Sequence, residues 1–465
     1  MKFLRAEGKK VVDTDGREVR LRGVAVGGWL NMENFITGYP GCESRLRSAL
    51  LEELGEERYR TWMTSFVEAF FSEEDIRFLR GLGATVVRVP FNYRLFEDDD
   101  RPGVYKDEGF VHLDRIVRTA ETHGMYVILD LHAAPGWQNE GWHADNPTGV
   151  SLFWQHRDFQ ARARDLWAHI ADHYRDTAAV AGYDLLNEPN APSVSVLNRL
   201  YKELAGAIRR VDRRHILFLE GNDWSRRFDG LDEALDENVV WSSHNYTVVT
   251  HKARRYPGPV EGVYGDRAWL RRDLEETNRW MLERDLPNWV GEFGALYDGD
   301  VLEPTPSDQA RLAALKDQIE LFDEFGFHWT LWTYKDVGPQ GLVVPGADSE
   351  YLRRLRPMLR LKQELGLDKW TTRDLGWPGA AIRHLVDQIG SRLWDFSLDL
   401  AGLKEYLVER VVYGDLANAV VPLYAMLFAD MSPEEIAVMQ REAFELKNGR
   451  RREGLIEVLS ASWKS

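Results

Sequence analysis

A single cysteine, Cys42, stands among 465 residues, so no intrachain disulfide is available. That suits a reducing compartment. The opening stretch Met1–Lys10 has no apolar core of the kind a secretory leader needs, and together these two absences predict a cytoplasmic protein. No apolar run approaches the roughly 20 residues of a membrane-spanning helix, so no membrane span is expected. Basic excess is missing too: 59 Lys and Arg face 75 Asp and Glu, for a formal charge of -16. Nucleic acid binding leans on clustered Lys and Arg against phosphates, so no nucleic acid partner is expected. An uncharged ligand fits that balance better.

What is abundant is aromatic and apolar. Hydrophobic residues make up 44% of the chain, enough for a large core, and there are 17 tryptophans. Core packing accounts for most tryptophans in any protein. A sugar cleft also uses them, because the apolar face of a sugar ring packs on a flat indole.

Short β-branched runs alternate with longer amphipathic stretches, the rhythm of βα units around a parallel sheet. About eight units can be counted, the number that closes a barrel. The strand candidates are Val19–Val26, Ala84–Val89, Met125–Asp130, Val180–Leu186, His215–Glu220, Val239–His244, Asn288–Glu292 and His328–Thr333. Val11–Gly16 reads as a strand and turn that would close the barrel floor. Helices are expected over Ile76–Leu82 (with Ser72 as N-cap), Phe153–Arg175, Ser193–Arg210, Trp269–Glu283, Ser307–Phe325 and Ser349–Leu365. The fold class is therefore α/β, a (β/α)8 TIM barrel. Two features exceed it. Residues 31–71 form a first βα connection too long for an ordinary loop, read as a cleft wall with a helix over Ser44–Phe71. After residue 367 the helical pattern continues over Ala380–Phe396, Gly402–Val411 and a helix opened by Ser432 and Pro433. The predicted division is a catalytic barrel over 1–367, including the insertion, and a helical extension over 368–465. Its apolar stretch Leu416–Met431 needs cover, which raises the expectation of a homo-oligomer joined through these helices.

Two strings carry the chemistry. Asn187-Glu188-Pro189 follows the fourth strand, and Gly291-Glu292-Phe293-Gly294 ends the seventh. Strand C-termini on a barrel point into the active site, so two carboxylates distant in sequence can face each other there. Opposed carboxylates are what glycosidic cleavage requires: one donates a proton to the leaving oxygen, and the other attacks the anomeric carbon.

With these strings in view, the sequence resembles glycoside hydrolase family five, the cellulase and mannanase group of clan A. The resemblance spans about Leu21 to Asp336 and implies that Glu188 is the acid/base, with Asn187 holding the sugar 2-hydroxyl, and that Glu292 is the nucleophile. Further matches follow in barrel order. Arg88 corresponds to the arginine that bonds the nucleophile and His132 to the third-strand histidine at the cleaved sugar. His244 and Tyr246 correspond to the sixth-strand pair, and Trp332 to the tryptophan that floors the cleavage subsite. The activity so implied is a retaining β-glycoside hydrolase acting through a covalent glycosyl-enzyme on a carbohydrate substrate, with no cofactor and no metal. The expected substrates are β-glucosides or β-mannosides, short or small, attacked from the chain end because the insertion shuts one side of the cleft.

Trp29 and Trp137 are added as sugar-stacking candidates near strand ends, with Trp142, Trp224, Asn222 and Glu220 behind them; bracing a loop is the alternative for each. Four rival readings stand beside the main one: an endo-acting glucanase or mannanase, a glycolipid glycosidase, a silent carbohydrate-binding barrel, and a metal-dependent barrel hydrolase. His132 and His244 lack the close ligand spacing that the last of these needs.

Overall fold

The computed structural model describes residues 1–371, 376–393 and 397–464. All eight expected strands form: β1 (Arg22–Ala25), β2 (Val86–Asn92), β3 (Tyr126–Ala133), β4 (Val180–Asp184), β5 (Ile216–Glu220), β6 (Val239–His244), β7 (Asn288–Glu292) and β8 (His328–Leu331). They pair in chain order, and β8 pairs in parallel with β1 to close the barrel. Helices cover the outside and side chains fill the inside. The strands therefore read as continuous apolar or β-branched runs rather than as an alternation.

An N-terminal hairpin pairs Leu4–Glu7 with Lys10–Asp13 and turns at Gly8 and Lys9. The reversal read at Asp13–Gly16 is also present: the Gly16 N–H donates to the Asp13 carbonyl at 2.9 Å, and the chain runs back along the hairpin. Leu4 and Val11 pack with Leu21, Val86, Ile216 and Trp289 and plug the barrel floor.

The helices Arg157–Tyr174, Val194–Arg209, Pro306–Phe325 and Glu350–Leu365 lie where the periodicity puts them. Glu73–Leu82 begins at Ser72, whose N–H is taken by Asp75 Oδ2 at 2.7 Å, so two orphan groups of the first turn are satisfied locally. The single helix expected over Trp269–Glu283 is instead two, Arg267–Thr277 and Arg279–Leu282. They break at Asn278, whose side chain bonds the Leu274 carbonyl at 2.8 Å. Helix Glu108–His123 is absent from the sequence expectations.

The insertion differs from its expected role. Its long helix, Glu43–Phe70, bends at Gly55 (φ 74°) and lies outside the barrel. Phe66 and Phe70 pack on Phe444 with ring centroids 5.3 and 5.4 Å apart, and Trp62 packs on Phe428 at 6.1 Å. Only the segment leading into that helix turns toward the barrel mouth.

Beyond residue 368 the extension forms Gly376–Gly390, Leu400–Leu407 continuing helically to Leu416, Pro433–Phe444 and Glu453–Trp463. The last three residues of the helix expected over Ala380–Phe396 lie outside the described residues. Leu367, Ile382, Val386, Val408 and Val412 make a small core of their own, whereas Val421, Tyr424, Phe428 and the residues that follow merge into the main one. Much of the apolar stretch Leu416–Met431 is thus covered by its own chain, against Tyr39, Trp62 and Tyr351, while Leu423 and Met426 stay exposed. Among the described residues, no single helix is long and apolar enough to cross a membrane.

Lys335 joins the three parts. Buried just after β8, it donates to the Phe70 carbonyl at the end of the insertion helix and to the Phe444 carbonyl in the extension, both at 2.8 Å, and pairs with Asp75 at 2.6 Å. Replacing it with Met should leave two carbonyls and a buried carboxylate without their cation, at a cost of about 3 kcal/mol. Urea unfolding of Lys335→Met against wild type measures this; a loss under about 1 kcal/mol would show the joint to be unimportant.

Candidate active site

The C-terminal ends of the strands deliver the polar side chains to one place. At the centre Arg88, on β2, is fully buried. Its guanidinium donates to Glu292 Oε1 at 2.5 Å, to Asn187 Oδ1 at 2.7 Å and to Asp184 Oδ2 at 3.1 Å, and it lies 3.1 Å from Asp130 and 3.2 Å from Glu220. A planar fork with five N–H donors is the side chain suited to this crowd. Burial works against its charge, but Asp130, Glu292, Asp184 and Glu220 outweigh burial and hold it firmly protonated. Burial together with Glu220 pushes Asp184 well above the usual carboxylate range, against the pull of Arg88.

Glu292, at the end of β7, has both oxygens occupied: Arg88 at Oε1, and the Tyr246 hydroxyl donating to Oε2 at 2.8 Å. Glu188 stands opposite with φ at 46°, a left-handed conformation that a non-glycine residue adopts only under constraint. The constraint is visible. Its N–H donates to Glu220 Oε2 at 2.7 Å, and its carbonyl accepts from Asn139 Nδ2 at 2.9 Å. His244 Nδ1 lies 2.8 Å from Glu188 Oε1 and 3.7 Å from Glu292 Oε2, and His143 Nε2 lies 3.0 Å from Glu188 Oε2. Burial opposes the charge on His244, yet Glu220, Glu292 and Glu188 raise it well above its ordinary value, so it is an imidazolium. Burial likewise favours the neutral form of Glu188, but His244, together with His143 in the tautomer that donates, outweighs burial and holds its carboxyl below the usual range.

One oxygen of Glu188, one of Glu292 and a ring nitrogen of His244 all lie within 4.8 Å of one another. These are the only described side chains grouped closely enough to hold a metal ion, but each already spends those atoms on hydrogen bonds, and Arg88 supplies the local cation. The spacing matches a retaining pair, whose carboxyl groups stand roughly 5–5.5 Å apart; an inverting pair needs room for a water between them.

The floor is Trp332, stacked on His132 with centroids 5.3 Å apart and planes 6° apart. Gly27 makes room for it, since a Cβ there would sit 2.5 Å from the indole. His132 is held between Asp130 (2.8 Å) and Glu33 (3.1 Å). Burial disfavours its charge, but those carboxylates push the imidazole up to about 10. Burial in turn raises Glu33 above its ordinary value in spite of His132.

Arg88, His132, Asn187, Glu188, His244, Tyr246, Glu292 and Trp332 therefore converge as expected. Trp29 does not. It is buried between helices, donating Nε1–H to the Val67 carbonyl at 2.8 Å and packing on Phe71 and His112, so it braces the insertion. Trp137 sits in the loop after β3 with φ 62°, its carbonyl accepting from the Ser151 hydroxyl. Asn222 ties the loop after Glu188 through two bonds to the Ala191 backbone, and Glu220 lies wholly buried behind Glu188; neither faces a substrate. Trp142 is buried beside His143, and Trp224 is exposed on the loop after β5. Cys42 is buried and its thiol is pushed up to about 12, which removes it from nucleophilic chemistry.

Sequence reasoning missed Glu33, Asp130, Asp184, Asn139 and His143. Asp130 was legible: two residues before His132 on one strand, it shares that residue's face. Glu33, in a non-repetitive segment of the insertion, gave no such signal.

A model of the cellulase family, glycosyl hydrolase family 5, matches residues 49–338. The chain belongs to glycosyl hydrolase family 5. A β-xylosidase of Phanerodontia chrysosporium is 40% identical over 99% of this chain and 98% of its own, a match that runs through the extension. Endoglucanase C of Acetivibrio thermocellus is 25% identical over 60% of this chain and 88% of its own. In three dimensions an endogalactoceramidase shares the fold, with a TM-score of 0.55 at 19% identity, covering 77% of this chain and 85% of that one. The family 5 protein described here is a retaining β-glycoside hydrolase.

Because His132 is raised from about 6.5 to about 10 on folding, its contribution to stability is complete below about pH 6.5 and is lost as pH climbs toward 10. His132→Gln should flatten that alkaline decline. Thermal unfolding of both proteins between pH 6 and 10 tests it, and parallel curves would rule it out.

Proposed function

We propose that the enzyme is exo-acting, releasing one sugar at a time from the ends of short β-linked chains or from small β-glycosides, with β-xylosides foremost and β-glucosides next. One observation carries the exo reading. Trp370, from the start of the extension, packs on Tyr246 at 5.3 Å, on His251 at 5.1 Å and on Phe35 of the insertion at 6.5 Å. Both additions to the barrel thus meet beside the tyrosine that bonds Glu292, and an aromatic wall there leaves a pocket where an endo-acting relative needs a groove. The preference for xylosides is supported by the β-xylosidase relative, which matches this chain from end to end.

In this reading Glu292 is the nucleophile. Arg88 and Tyr246 hold and aim it, and its oxygen bonds the anomeric carbon as the glycosidic bond breaks. Glu188 gives the leaving oxygen a proton. It then takes a proton from the water that attacks the anomeric carbon and releases Glu292. Trp332 supports the sugar face, while His132, Glu33 and Asn187 meet its hydroxyls.

Glu292→Gln should lose roughly 10⁴-fold or more in kcat. On xylohexaose the wild type should give xylose and xylopentaose from the first turnovers, read by chromatography. Mid-chain fragments would refute the exo reading, and a strong preference for cellohexaose or mannohexaose would refute the xyloside one.

A further inference from the structure

Glu188 must carry a proton when the leaving group departs, yet imidazoles face both its oxygens. The two are not alike. His244 is 1% exposed, is set among carboxylates and is an imidazolium, so it donates to Oε1. His143 faces Oε2 from the open side; it and Glu188 are each 14% exposed. That is the side from which an aglycone leaves.

Asn139 settles what His143 offers. Its Oδ1 accepts the Gly141 N–H at 2.8 Å, and its Nδ2 donates to the Glu188 carbonyl at 2.9 Å. Flipping the amide would set donor against donor and acceptor against acceptor, so its orientation is fixed. The same Nδ2 lies 3.0 Å from His143 Nε2. An amide nitrogen has no lone pair to give, so it satisfies this contact only when Nε2 is an acceptor. A proton shared between Nε2 and Glu188 Oε2 is therefore pressed toward the carboxyl. Trp142 and His132 also flank the ring, the Glu33 carboxylate is close enough to feel its charge, and Asn31 holds the His143 carbonyl at 3.0 Å.

We propose that His143, oriented by Asn139, is a positioning residue that seats the leaving-group proton on the outward oxygen of Glu188. The cycle balances. The Oε2 proton passes to the glycosidic oxygen as the bond from C1 to that oxygen breaks and the bond from Glu292 to C1 forms. A proton of the attacking water later returns to Oε2 as its oxygen bonds C1 and Glu292 departs. His143 Nε2, whose one lone pair is shared between the Asn139 N–H and the Oε2–H, accepts before and after and gains no net proton.

The inference rests on Glu188 being the acid/base, so the test includes that residue. Aryl β-xylosides and β-glucosides with leaving groups from 2,4-dinitrophenol to phenol are compared by kcat/KM. In His143→Ala the preference for dinitrophenyl over phenyl glycoside should rise roughly tenfold or more over wild type, because only the poor leaving group needs the proton. His143→Gln, whose amide oxygen can accept the same proton, should recover most of the loss. Asn139→Asp keeps an acceptor for Gly141 but draws the proton onto His143, so it should steepen the dependence as His143→Ala does. A loss equal across all leaving groups in a variant with native melting behaviour, or no loss, would overturn the proposal. If His143→Ala does not fold, a flat series for His143→Gln and Asn139→Asp does the same. A flat series in Glu188→Ala would place the fault in the assignment of Glu188 instead.

Discussion

A guanidinium sunk in the barrel with carboxylates on every side is the constraint around which the catalytic end is arranged. Arg88 reaches Glu292, Asp184, Asp130 and Glu220, which come from four different strands, and Asn187 as well. Taking one charge out of water costs several kcal/mol even after relaxation, and the barrel recovers that cost only if every partner is in place. The arrangement is thereby self-enforcing: each strand end must stop at the height that presents its carboxylate to the same fork. It also explains why so many acids coexist. The surrounding acids raise Arg88, His132 and His244 in spite of burial, and burial with Glu220 raises Asp184.

The barrel itself was legible because its signal is local and repeated. Each strand is a short buried run, and each boundary can slip by a residue or two without moving the centre. The catalytic shell was legible where residues sit at strand ends, since topology alone then brings them together. Legibility failed where placement depends on irregular chain. Glu33 and His143 reach the site from a connection and a loop whose paths no periodicity dictates. Trp29 failed in the opposite sense: it follows the first strand closely enough to suggest the mouth, but the insertion helix offers its indole a carbonyl and a packed surface outside the barrel. The resemblance to family 5 reached none of these, because none of them lies in the motifs that carry it.

The two additions to the barrel are best understood as one. The insertion helix would expose Trp62, Phe66 and Phe70 on its own, and the last helices would expose Phe428 and Phe444; each covers the other. Their joint surface holds the approach segment, with Glu33 and Phe35, against the mouth from one side, while Trp370 closes from the other. The positions of Glu33 and Trp370 are therefore tied to packing that lies far from the two carboxylates.

Helix Glu453–Trp463 also seals the barrel from outside. Trp463 stacks on Trp329 of β8, and the carbonyl of Ser462 accepts from Arg22 of β1 at 2.6 Å, across the seam where the first and last strands meet. During synthesis the first strand emerges more than four hundred residues before the side chains that fasten its edge. The nascent barrel must therefore remain unlatched, with an aromatic seam open to other chains, until helix Glu453–Trp463 has been made.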